Sequence, residues 1–166
     1  MDAITETLKE LEAAMDGEAD KLEKMAQTGS VLRARILDRN WPRLEDEVGK
    51  MRTLSGEVAA WEEKRSLLYR EARIKSGAPP EGSFAEFLAR LPGESREGLE
   101  ERRRRLRVAV DRVGSLTGGI DAYVRSSMRT MEKVLEEFFP PRRLRTYTRT
   151  GEVRGADHPR VVSHSL

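Results

Sequence analysis

The distribution of proline is the feature that most restricts how this chain can fold. Proline lacks a backbone N–H and clashes with the preceding helical turn, so long helices can form only between prolines. The seven prolines in 166 residues are Pro42, Pro79, Pro80, Pro92, Pro140, Pro141 and Pro159. The long stretches that they leave uninterrupted are predicted to hold the secondary structure.

Each long proline-free stretch carries apolar residues at steps of three, four or seven. Residues with these spacings share one face of an α-helix. The pattern predicts long helices over about 2–39, 41–74 and 95–139. Pro42 falls in the first turn of the second helix, where its missing N–H costs nothing, and it marks a kink or a restart after Asn40, which can act as the N-cap. In the first helix the face is Ile4, Leu8, Leu11, Met15, Leu22 and Met25, and in the second it is Leu44, Val48, Met51, Leu54, Val58, Trp61, Leu68 and Ala72.

A short fourth helix is predicted over 83–91, after the glycine- and proline-rich loop 76–82. Ser83 and Glu86 have the spacing of a capping box, in which each side chain bonds the backbone N–H of the other residue. Phe84 and Phe87 follow on the apolar side of this helix. We expect them to close one end of a helical bundle.

Composition narrows the fold class further. Charged residues make up 36% of the chain and aromatic residues 5%, which favours helices that bury a narrow stripe. The predicted fold is all-α, an elongated antiparallel helical hairpin or three-helix coiled-coil-like bundle over 1–139. The segment 140–166 has six arginines against two acidic residues and no apolar period, so it is predicted to be a flexible basic tail.

The sequence lacks the residues that metal-binding proteins, nucleotide-binding proteins and serine hydrolases require. There is no cysteine, and the two histidines, His158 and His164, lie in the predicted tail without the spacing of a metal site. No glycine-rich phosphate loop is present, and no serine has an evident partner base. We therefore expect a binding protein, not an enzyme, with no cofactor or metal.

The segments that direct proteins to membranes are also lacking. The N-terminus does not have the basic and apolar regions of a secretory signal, and no apolar run is as long as a membrane span. We expect a cytoplasmic protein without membrane insertion.

The densest run of charge is Glu100–Arg107. Glu100 and Glu101 precede Arg104 and Arg105 by four residues, which favours ion pairs along one solvated helix face. Nucleic acid is a less favoured partner of the basic tail, because Tyr147 is the one aromatic residue among its arginines.

The apolar residues of the last long helix extend beyond a narrow stripe and include methionines, which suit adaptable binding surfaces. Two interpretations remain open: the face is entirely core, or it also binds the helix of a partner. The candidate substrate-binding residues are Leu116, Ile120, Val124, Met128, Met131, Leu135 and Phe138.

The segment 116–151 resembles the C-terminal half of the FlgN family of flagellar export chaperones. Its sequence is LTGGIDAYVRSSMRTMEKVLEEFFPPRRLRTYTRTG. Family members combine a long helix of spaced apolar residues, a proline-interrupted linker and a tyrosine-x-x-x-glycine turn, which falls here on Tyr147 and Gly151. Glycines at 118 and 119, the insert 84–91 and the arginine run depart from the family pattern.

The resemblance implies a cytoplasmic chaperone without a cofactor. Such a protein would bind the disordered C-terminal segments of hook–filament junction proteins and deliver them to the type III export gate. It further implies that Tyr147 and Gly151 dock the export gate. The alternatives are a structural coiled-coil adaptor whose apolar seam is consumed by self-association, and a nucleic-acid accessory protein that acts through the tail.

Overall fold

The structure is a computed structural model that describes residues 2–79 and 81–139. Four helices form, and these residues contain no strand: α1 (Asp2–Leu37), α2 (Trp41–Lys75), α3 (Phe84–Leu88) and α4 (Gly93–Phe138). The all-α class predicted from the sequence is therefore confirmed. Contacts divide the chain into two units, Met1–Tyr123 and Val124–Leu166.

Helices α1 and α2 form an antiparallel hairpin. The chain reverses at Arg39, which has a positive φ of 54°, and Asn40 then caps α2 by accepting a hydrogen bond from the Arg43 backbone N–H. Pro42 lies in the first turn of α2, where its missing N–H breaks no helical hydrogen bond. Pro42 thus marks the start of a second helix, not a bend within the first.

Ion pairs and hydrogen bonds tie the two helices of the hairpin along their length. Near the open end, Lys75 Nζ donates a hydrogen bond to Thr7 Oγ1 at 2.8 Å. Further along, Arg65 Nε lies 2.5 Å from Glu18 Oε2. The Glu18 side chain is only 6% exposed, so Arg65 neutralises a carboxylate that is almost fully buried.

The hydrophobic core lies at the end of the hairpin that contains both the start of α1 and the end of α2. Its most completely buried large side chains are Leu11, Phe87 and Leu99, from α1, α3 and α4. The other buried members are Leu8, Ala14, Met15, Leu68, Ala72, Ala78, Leu88 and Leu91. The sequence prediction that the short helix closes one end of the bundle agrees with this placement of Phe87.

Helix α3 spans only Phe84–Leu88, with Ala89 as its C-cap, and is therefore shorter than the predicted range 83–91. Both hydrogen bonds of the predicted capping box between Ser83 and Glu86 are present. The Phe87 ring meets Tyr69 of α2 edge-on, with ring centroids 5.2 Å apart. The buried Arg73 of α2, which is 5% exposed, stabilises the loop between α2 and α3 by donating hydrogen bonds to the backbone carbonyls of Pro79 and Gly82.

Within the first unit, α4 runs parallel to α1 and buries Leu99 and Ala109. Arg102 Nε donates to Asp16 Oδ2 at 2.9 Å, and Arg105 donates to Glu23 at 2.9 Å and to Asp20 at 2.6 Å. The prediction that this arginine run pairs within its own helix at a spacing of four is therefore wrong: Arg105 pairs with α1, and Arg104 pairs with Glu101 at a spacing of three. Two arginines of the run instead join α4 to α1.

Candidate helix-binding face of α4

The second unit contains a helical face of large apolar side chains that lie open to solvent. Val124, Met128, Met131, Leu135 and Phe138 follow one another at steps of three or four, so they lie on the same side of α4. Their exposed fractions are 39%, 59%, 60%, 49% and 74%. We call these five residues the 124–138 face. Within the described residues, none of the five is buried.

Two further apolar side chains of this segment extend the exposed surface. Val134 and Phe139, exposed by 40% and 75%, lie beside the 124–138 face. They were not among the predicted site residues, although their spacing from Met131 and Leu135 could have identified them. Arg129 and Lys133 lie on the other side of the helix, so the segment is amphipathic.

The remaining two predicted site residues belong to the first unit, where they are only partly exposed. The side chain of Leu116 lies close to Gly29 of α1. A methyl group added at Gly29 would be 3.9 Å from the Leu116 Cβ atom. Ile120, one turn later, is also half-buried. Leu116 thus contributes to packing against α1, whereas the five residues that follow Ile120 on this face remain exposed.

Exposed apolar side chains elsewhere in the described chain do not form a run of this length. Trp41 and Val48 of α2 are exposed by 61% and 39%, and they are seven residues apart. Leu67 and Ile74, with exposures of 56% and 74%, have the same separation. Scattered exposed apolar residues are ordinary on protein surfaces, whereas a contiguous face marks a binding surface.

The 124–138 face is suited to binding another helix. It is apolar, it extends over about four helical turns, and its two methionines can adapt to side chains of different shape. A partner helix would place residues at steps of three and four against it, as in recognition of an amphipathic helix by an apolar groove.

The predicted export-gate residues, Tyr147 and Gly151, lie outside the described residues, as does the whole basic segment 140–166. Within the described ranges, none of the helices combines the length and the apolar character needed to cross a membrane. The chain matches no protein-family model, no curated protein and no solved structure.

Proposed function

We propose that this protein is a helical chaperone that binds an amphipathic segment of a partner along the 124–138 face. The observation that carries the proposal is the solvent exposure of five large apolar side chains on one side of a regular helix. Leaving such a face in water is unfavourable, and covering it by a partner helix removes that cost.

The resemblance to the FlgN family supplies the finer part of the proposal. The clients are the C-terminal segments of hook–filament junction proteins, the chaperone acts in the cytoplasm, and delivery is to the type III export gate. Tyr147 and Gly151 provide the contact with the gate. Capture on one segment and docking through another would let the protein hold its client while it approaches the gate.

The binding mode suits a chaperone that must release its client. A half-exposed Leu, Met or Phe side chain gains on the order of 1–2 kcal/mol when its remaining surface is covered. A client that is disordered before binding loses conformational freedom on the face, and this cost offsets much of the gain. The complex is therefore expected to be reversible, which transfer to an export apparatus requires.

Calorimetric titration with C-terminal segments of junction proteins from the same organism tests the proposal. Binding should bring a negative heat-capacity change, because apolar surface is buried, and a gain of helix in the client. The variants Met131→Glu and Leu135→Glu should abolish capture while retaining the helical circular dichroism of the free protein, since both side chains are exposed.

Ser126→Glu provides the matched control. It introduces the same charge in the same stretch of α4, but about 140° around the helix from Met131. This variant should bind the client as the unchanged protein does. Equal loss of binding in Ser126→Glu, or absence of binding to every junction segment, would contradict the proposal. Collapse of the dichroism signal in Met131→Glu would show that the face is core.

A further inference from the structure

The spacing within the 124–138 face is that of a coiled-coil seam. Val124, Met128, Met131 and Leu135 are separated by four, three and four residues, which is the alternation of d and a positions in a heptad repeat. Val124 and Met131 then occupy d positions, and Met128 and Leu135 occupy a positions. In a coiled coil, such residues of one helix pack between those of a second helix.

Two opposite charges flank the seam at equivalent positions. Arg125 follows Val124 and Glu132 follows Met131, so both are e residues, seven positions apart. The e residues border the seam and form ion pairs between helices, which set the choice of partner and its orientation. In an antiparallel pair, e residues of one helix lie beside e residues of the other. The pattern Arg–Glu is therefore complementary to its own reversed copy.

These charges also select the register. In the favoured register, Val124 lies opposite Leu135 of the second copy, and Met128 lies opposite Met131. Arg125 of each helix then lies beside Glu132 of the other. Because the pair has two-fold symmetry, this contact occurs twice. A shift of one heptad in one direction brings the two Glu132 side chains together. A shift in the other direction brings the two Arg125 side chains together. Like charges across the seam disfavour both shifted registers.

We propose that a second copy of this chain covers Val124, Met128, Met131 and Leu135 by antiparallel pairing in this register. Phe138 lies beyond this overlap, opposite Asp121 of the second copy. Val134 on one helix then lies against the small Ser127 of the other. Self-pairing and client binding use the same apolar surface, so a client would have to displace the second copy. The pairing itself does not depend on the proposed chaperone function.

Disulfide trapping tests the register, because the chain has no cysteine of its own. Val124→Cys and Leu135→Cys are prepared as separate proteins, mixed under mild oxidation and examined for cross-linked species. The antiparallel register predicts the mixed 124–135 disulfide in preference to either homodimer, because two copies of residue 124 would lie about 16 Å apart along the axis. A preference for 124–124 and 135–135 disulfides would indicate parallel pairing and would overturn the proposal.

Charge reversal supplies the independent test without any cross-link. By sedimentation, Arg125→Glu and Glu132→Arg should each weaken self-association about tenfold, because each change replaces two attractions by two repulsions. The double variant Arg125→Glu/Glu132→Arg restores both pairs and should return the dissociation constant to within about twofold. A monomer at every concentration, or a double variant as weak as the single ones, would refute the proposal.

The outcome for self-pairing is separable from that for the client. If the protein pairs but no junction segment competes with the second copy, the proposed function fails while this inference stands. If the protein is monomeric and still captures the client, this inference fails alone.

Discussion

Replacing leucine by alanine at two places on α4 should have very different consequences for stability. Leu99 is fully buried and packs in the core with Leu11 and Phe87. Leu99→Ala removes its burial and leaves a cavity, so the expected loss is about 3 kcal/mol in the free energy of unfolding. Leu135 is 49% exposed. Alanine is a better helix former than leucine, so Leu135→Ala should change the stability of the monomer, measured at a concentration too low for self-pairing, by less than about 0.5 kcal/mol.

Urea denaturation and thermal denaturation, each followed by circular dichroism, measure both changes. Leu99→Ala should lower the thermal midpoint by about 10 °C, as expected for a loss of this size in a protein of this length. Leu135→Ala should leave the midpoint almost unchanged while weakening client capture. Equal destabilisation by the two variants would refute the reasoning, because it would place Leu135 in the core.

Three further predictions concern the first unit and the arginine run. Arg65→Met should cost about 3 kcal/mol because it strands the buried Glu18 carboxylate, and Glu18→Met/Arg65→Met should recover most of that loss in urea denaturation. Gly49→Ala should stabilise α2 by about 0.5–1 kcal/mol, because the added Cβ would lie in open space. Gly17→Ala should instead destabilise the protein, because the added Cβ would lie 2.9 Å from the Trp61 ring. The hydrogen bond from Arg104 lowers the pKa of Glu101, so this ion pair is present at neutral pH and is lost as the pH falls through that pKa. In an NMR titration, Arg104→Gln should raise the pKa of Glu101 toward its usual value of 4.5.

The helices of this chain could be predicted because their signals are local. Pro42 and Asn40 mark the start of α2, and the Ser83–Glu86 capping box marks α3. The apolar spacing predicted the long helices to within about two residues at each end. These features depend on residues close together in sequence, so periodicity and capping chemistry are sufficient.

Contacts between helices were less accessible from the sequence. Arg105 has a suitable acidic residue four positions earlier, but it pairs with Asp20 and Glu23 of α1 instead. That choice depends on which side of α4 faces α1, and the spacing of charges within one helix does not contain this information. The same holds for Arg65, whose partner Glu18 lies 47 residues away.

The candidate face was partly predictable for the same reason. Periodicity identified the seven apolar residues as one side of the last helix, but it could not separate core from exposed surface. Leu116 lies against α1, whereas Met128 and Met131 are open to solvent. The difference arises from where the neighbouring helix lies, which the apolar pattern of α4 alone does not specify.

Methyl NMR of the methionines tests most directly whether the 124–138 face binds the client. The chain carries Met128 and Met131 on the face and Met15 in the core, where it is 4% exposed. Addition of a junction-protein segment should shift the methyl signals of Met128 and Met131 and leave that of Met15 unchanged. Unchanged signals from both face methionines in the presence of a bound client would contradict the account.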